Sequence, residues 1–92
     1  MESTYQRKLK KHFEGKGWLV IKIIRATVNG YPDLMLLHPL RPTIFIEVKD
    51  EHGIISKVQE YRIKELQEKG FIAMVTKPSN YDETIQQVKQ TY

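Results

Sequence analysis

The sequence contains no cysteine and no long hydrophobic run, and each absence excludes a class of protein. Without cysteine the chain forms neither a disulfide nor a thiolate metal site, which is typical of intracellular proteins. No apolar stretch approaches the roughly 20 residues that a membrane-spanning helix needs, and the first residues lack the apolar segment of a signal peptide. We therefore expect an intracellular, cytoplasmic protein without a membrane partner.

The 92 residues have the length of one domain, and they contain no repeat, low-complexity tract or linker. We predict a single domain over residues 1–92, with a core that is adequate but thin. Basic residues are concentrated at one end, because residues 1–25 contain seven Lys or Arg and two Glu. This distribution suggests a phosphate-bearing partner, although a solvated, lysine-rich helix face explains it equally well.

Hydrophobic spacing predicts an α/β fold with the element order αβββαβα. Short connections favour an antiparallel arrangement of the first three strands, and the helix before the fourth strand favours parallel pairing there. The nearly continuous apolar character of the first strand predicts that both of its faces are covered. The predicted helices are residues 3–14, 56–69 and a last segment with Tyr81, Ile85, Val88 and Tyr92 on one stripe; the predicted strands are residues 18–25, 33–38, 43–49 and 71–76.

Three ionisable residues interrupt the strands that should build the core. Asp33 begins the second strand, and Glu47 and Lys49 project from the same face of the third because side chains alternate along a strand. Antiparallel pairing brings Asp33 close to both. Two neighbouring carboxylates repel, and a divalent cation such as Mg²⁺ offsets that repulsion. Since a lysine beside such a cation can position a water or stabilise a phosphate oxygen, the group suggests phosphodiester hydrolysis.

The two longer helices each carry a polar residue in line with their apolar stripe. On the first helix, Glu2 falls in the sector of Leu9 and Phe13, and on the second, Gln59 falls in the sector of Ile63. We therefore expect Glu2 and Gln59 to face the sheet.

At these residues the sequence resembles the virus-type replication-repair nuclease (VRR-NUC) domain of the PD-(D/E)XK nuclease superfamily. The likeness consists of Gly-Tyr-Pro-Asp at 30–33, Glu-Val-Lys at 47–49 and Ser-x-x-Gln at 56–59, within roughly residues 2–75. A lone acidic-x-Lys triplet is common by chance, whereas the ordered set is much more specific. The resemblance implies a restriction-endonuclease-like αβββαβ core with a mixed four-stranded sheet, flanking helices and an extra C-terminal helix.

The resemblance also implies roles for individual residues. Asp33 and Glu47 would hold Mg²⁺ or Mn²⁺ with the backbone carbonyl of Val48, and Lys49 would be the catalytic lysine. Gln59 would orient a water, a substrate phosphate or Lys49, and Glu2 would assist the metal site. The basic residues that we expect to contact DNA phosphates are Arg7, Lys8 and Lys11, with Lys57 as a helper.

The function implied by the resemblance is that of a metal-dependent endodeoxyribonuclease acting on branched DNA such as Holliday junctions. Small stand-alone members of this kind resemble junction resolvases that work in DNA repair as homodimers, in a bacterial or phage-infected cell. Two alternatives remain open from the residues: an inactive nucleic-acid-binding module of the same fold, and a structural dimerisation subunit.

Each site residue also has a structural explanation. Asp33 after Pro32 suits a turn, and Glu47 with Lys49 suits a solvated pair on an edge strand. Ser56 and Gln59 form a capping-box pattern, so helix capping explains Gln59 as well as catalysis does. Glu2 near a helix start complements the helix dipole. The pattern leaves open which DNA structure is cut, how many metals bind and which surface forms a dimer.

Overall fold

A computed structural model of the chain describes residues 3–24 and 28–91. Within these ranges the elements follow the predicted order, with a 3₁₀ turn at Pro78–Asn80 before the last helix. No helix in the described ranges has the length and apolar character that crossing a bilayer requires. The helices are α1 (Thr4–Gly15), α2 (Lys57–Glu68) and α3 (Tyr81–Lys89), and the strands are β1 (Leu19–Lys22), β2 (Leu34–His38), β3 (Arg41–Val48) and β4 (Ile72–Thr76).

The four strands form one mixed sheet in the order β1-β2-β3-β4. The pairs β1–β2 and β2–β3 are antiparallel, and β4 runs parallel to β3, as predicted. The register places Leu34 opposite Ile46. It therefore brings the start of β2 beside the end of β3, where the charged residues lie.

The hydrophobic core fills the space between one face of the sheet and the helices α1 and α3. Leu9 and Phe13 come from α1, and Ile85 and Val88 come from α3. The strand residues in this core are Val20, Leu34, Leu36, Ile44 and Ile46. Helix α2 packs against β4. The predicted α/β architecture, a mixed four-stranded sheet flanked by helices, is confirmed.

Strand β1 is shorter than predicted, and it is covered on one face only. The backbone N–H of Trp18 donates to the carbonyl of Phe13 at 3.0 Å, so Trp18 closes α1 instead of opening the strand. The pairing ends at Lys22 because its partner Leu34 is the first residue of β2. Leu19 is 58% exposed. The prediction of two covered faces is wrong because β1 is an edge strand and α2 lies over the opposite edge of the sheet.

Side-chain caps fix the starts of α1 and α2, in line with the sequence signals. The hydroxyl of Ser3 accepts a hydrogen bond from the backbone N–H of Gln6 at 3.0 Å. At α2, Ser56 and Gln59 form the predicted capping box. The apolar stripe of α3 is present at Ile85 and Val88, which are buried, whereas Tyr92 lies outside the described residues.

The loop before Asp33 approaches α2 so closely at Gly30 that a side chain has no room. Gly30 has a φ of +92°, and a Cβ there would lie 3.0 Å from the carbonyl oxygen of Val58. We expect Gly30→Ala to destabilise the protein by about 3 kcal/mol, the combined cost of left-handed backbone and steric overlap. Chemical denaturation measures this loss.

Gly70 provides the matched control for that substitution. Its φ is +91°, but a Cβ there would meet nothing within 4 Å. We expect Gly70→Ala to cost only the backbone term, about 1 kcal/mol. Equal losses for the two variants would show that the contact between Gly30 and Val58 does not restrict the loop.

Candidate active site

Asp33 is held at the end of β3 by a backbone hydrogen bond. It lies between the buried Pro32 and the first residue of β2. Its Oδ2 accepts a hydrogen bond from the N–H of Val48 at 3.0 Å. This contact crosses from one strand to the next, so it fixes the carboxylate beside the pair Glu47 and Lys49.

Glu47 is a buried carboxylate with one unsatisfied oxygen. Its side chain is 2% exposed, and Oε2 lies 3.4 Å from the ammonium of Lys49. Within the described ranges, Oε1 has no hydrogen-bond partner. Burial, and secondarily the charge of Asp33, raises the pKa of Glu47 to about 7, against the opposing effect of Lys49. A buried, under-coordinated carboxylate is costly unless a proton or a cation occupies it.

Gln59 both caps α2 and holds Glu47. Its amide oxygen accepts from the N–H of Ser56 at 2.9 Å, and its amide nitrogen donates to Glu47 Oε2 at 2.9 Å. The capping contact turns the NH₂ group toward the carboxylate, so the two contacts are compatible. Helix capping by Gln59 and its contact with Glu47 therefore occur together. A role of Gln59 in the chemistry itself stays a prediction.

An open cleft of about 580 Å³ adjoins these residues. Glu47 is buried beside it and is joined to the cleft wall through Lys49. The structure thus gathers Asp33, Glu47 and Lys49 at one end of the sheet. The residues that line the cleft are Ser3, Gln6, Lys22, Ile23, Ile24, Asp33, Val48, Lys49, Asp50, Gly53 and Ile54.

The donor set fits a hard divalent cation. In the ranges 3–24 and 28–91, no three side chains of His, Cys, Asp or Glu group together as a complete metal cage. Magnesium sites commonly use only one or two carboxylates, with water and substrate phosphate as the other ligands. Asp33 and the unsatisfied oxygen of Glu47 supply two such carboxylates beside a cleft that admits water and substrate.

The fold matches solved structures of one family. A structure described as "VRR_NUC domain" superposes with a TM-score of 0.82 and 26% sequence identity, over 99% of this chain and 97% of that chain. This chain has the fold of a VRR-NUC domain. A second structure, described as "VRR_NUC domain protein", matches with a TM-score of 0.57 and 25% identity, over 99% of this chain and 67% of that one. No family model matches the sequence, and no curated protein matches it either.

The three motifs lie on or next to the elements predicted for them. Asp33 ends the loop before β2, Glu47 and Val48 complete β3, and Gln59 lies in the first turn of α2. Lys49 follows the last residue of β3. Glu2, which the resemblance implies as a helper of the metal site, lies outside the described residues.

The four basic residues predicted to contact DNA do not line this cleft. Arg7, Lys8 and Lys11 are exposed on α1 and border a separate shallow depression. The ammonium of Lys8 lies 4.0 Å from the centre of the Tyr81 ring. Lys57 is exposed at the start of α2. Their contacts with DNA stay a prediction.

Two charged residues of the cleft are absent from the motifs. Lys22 is the last residue of β1, and Asp50 comes directly after Lys49. Asp50 belongs to a polar run before Gly53 that is typical of an ordinary loop. One feature of the sequence could have identified Lys22 as a candidate site residue: it is a charged residue in an otherwise apolar strand.

Proposed function

We propose that this VRR-NUC domain is a Mg²⁺- or Mn²⁺-dependent endonuclease that hydrolyses phosphodiester bonds of branched DNA. The observation that carries the proposal is the Glu47 carboxylate, which is 2% exposed and has one oxygen without a hydrogen bond in the described part of the chain. A buried acid in this state, next to Asp33 and beside an open cleft, is explained by a cation that binds there.

The contacts of each residue indicate its proposed role. Asp33 and Glu47 would hold the cation, together with the carbonyl of Val48, and Gln59 keeps Glu47 oriented through its 2.9 Å hydrogen bond. When bound, the cation supplies positive charge at the scissile phosphate and lowers the pKa of a coordinated water. Lys49, which borders the cleft, positions the attacking water or stabilises charge on a phosphate oxygen.

DNA is the proposed substrate, held mainly through its phosphates. The exposed cations Arg7, Lys8 and Lys11 of α1, with Lys57, extend the positive surface beyond the cleft. Binding of this kind is largely independent of sequence and weakens steeply with salt. Symmetric cuts in a junction need two active sites, so we propose that the domain acts as a homodimer.

Metal binding gives the first test of the proposed function. At a free metal concentration one hundred times Kd, Mn²⁺ is expected to stabilise the native protein by about 2.7 kcal/mol. For a chain of this size, that corresponds to a rise in Tm of roughly 10 °C or more. Asp33→Asn should abolish the gain, because it removes one of the two carboxylate ligands. Differential scanning fluorimetry with Mn²⁺ and with EDTA measures both effects.

Asp82→Asn is the matched control, since Asp82 is exposed in the first turn of α3. It should keep the full gain with Mn²⁺. Equal melting of the wild type with and without Mn²⁺ would contradict the metal site.

Cleavage of linear, nicked, flapped and four-way DNAs then separates a nuclease from an inactive binding module, and paired incisions in the four-way DNA are expected of a dimer.

A further inference from the structure

Lys22 is a cation placed where the sheet opens into the cleft. It lies opposite Leu34 in the β1–β2 register, and Leu34 adjoins Asp33. Val20, two residues earlier on the same face, belongs to the core. The side chain of Lys22 is only partly exposed, and it makes no ion pair within the described residues. A lysine that is partly withdrawn from water and unpaired favours an anionic ligand.

Two isoleucines lie almost fully exposed on the same cleft. Ile24 is 86% exposed and Ile54 is 87% exposed, and both line the cleft with Lys22. They come from separate segments, one after β1 and the other in the loop before α2. A single exposed isoleucine needs no explanation. Two of them bordering one cleft, among Ser, Gln, Lys and Asp side chains, form a local apolar rim on a polar site.

From these positions we infer that the cleft contains a subsite for one unstacked nucleotide next to the scissile phosphate. Lys22 binds the phosphate of that nucleotide, and Ile24 and Ile54 contact its base. A nucleotide has an anionic phosphate at one end and an apolar ring face at the other. The phosphate suits Lys22, and the ring face suits the apolar rim of Ile24 and Ile54. The cleft volume of about 580 Å³ lies within the range of roughly 300–1,000 Å³ found for small-molecule sites.

The subsite rests on the proposed function, and it adds a physical reason for selecting branched DNA. In a continuous duplex, neighbouring bases cover both faces of a base, so Ile24 and Ile54 cannot contact them. Unstacking a base is unfavourable, and its cost is least where the base is already unpaired. The apolar rim therefore favours DNA with an interruption over intact duplex, whereas the contact of Lys22 with phosphate is common to both.

The test compares binding of an intact duplex with binding of the same duplex carrying an unpaired branch. Fluorescence anisotropy is measured with Ca²⁺ in place of Mg²⁺, and cleavage of both DNAs is measured separately with Mn²⁺. The double variant Ile24→Ala/Ile54→Ala should weaken binding of the branched DNA by about tenfold and leave duplex binding unchanged. Lys22→Met should weaken binding of both DNAs and lower the slope of log Kd against log salt by about one.

Two control variants remove side chains of similar character away from the cleft. Leu40→Ala removes an isolated side chain that is 88% exposed, and Lys69→Met removes an exposed lysine after α2. Both should leave Kd and the salt slope unchanged. The subsite is overturned if the isoleucine variant binds both DNAs with wild-type affinity, or if it loses affinity for both DNAs equally. It is also overturned if Lys22→Met keeps the wild-type salt slope. A wild type that neither binds nor cuts either DNA would instead contradict the proposed nuclease function.

Discussion

Lys49→Met is expected to lower the rate of DNA cleavage by roughly 10²–10³-fold while changing DNA affinity by no more than about twofold. Lys49 borders the cleft and lies 3.4 Å from Glu47. Under the proposed function it would act on charge that develops during hydrolysis, and most of the DNA contact would come from other cations. Methionine keeps the length of the apolar stem and removes only the ammonium. Single-turnover cleavage with Mn²⁺, and anisotropy with Ca²⁺, measure the two quantities.

The pH of this experiment matters, because Lys49 also helps to keep Glu47 ionised. The charge of Lys49 lowers the pKa of Glu47, so its removal favours the protonated acid and weakens metal binding indirectly. Cleavage should therefore be compared at saturating metal and at a pH above 7, where more of Glu47 is ionised in both proteins. Lys69→Met, at an exposed site after α2, should cleave like the wild type. A parallel loss of binding and cleavage in Lys49→Met would make Lys49 a phosphate contact only.

Without metal, Glu47→Gln is expected to make the protein more stable at pH 8 by on the order of 3 kcal/mol. Burial raises the pKa of Glu47 from 4.5 to about 7, so the native state holds its proton more tightly than the unfolded chain does. The contribution of Glu47 to stability is therefore fully present below about pH 4.5 and is lost as pH rises from there through 7. Glutamine is uncharged throughout, and it still accepts the hydrogen bond from Gln59. Urea denaturation in EDTA at pH 5 and pH 8 measures the difference.

Metal should cancel most of this difference between the two proteins. Mn²⁺ should restore the stability of the wild type at pH 8, because a cation replaces the missing proton on Glu47. It should give Glu47→Gln little gain. Glu68→Gln, at an exposed position at the end of α2, is the control and should follow the wild type at both pH values. If Glu47→Gln also followed the wild type in EDTA, the carboxylate would not be desolvated, and the case for a cation there would weaken.

The local signals in the sequence predict much of this site correctly. Alternation along β3 puts Glu47 and Lys49 side by side, and the antiparallel pairing of β2 and β3 brings Asp33 to them. The capping box at Ser56 fixes where α2 begins. These predictions succeed because each depends on residues close in sequence or on one strand pairing.

The errors concern contacts between elements that are distant in sequence. The apolar run after Trp18 resembles a strand covered on both faces, yet β1 lies at the sheet edge and Leu19 is exposed. Coverage of a strand depends on where α2 packs, and no local pattern specifies that position. For the same reason, the motifs do not include Lys22 in the cleft, because its proximity to Asp33 follows from the β1–β2 register.

By itself the sequence determined the order of the elements and the apolar face of each, because these depend on hydrophobic periodicity. It also determined the chemistry of the three motifs, because that depends on residue type. Only the tertiary structure decided that Gln59 reaches across from α2 to Glu47, that one oxygen of Glu47 is buried without a hydrogen bond within the described residues, and that Lys22, Ile24 and Ile54 border the same cleft. Burial and desolvation are properties of the packed chain, and the pKa of Glu47 changes only when α2 and the sheet remove it from water.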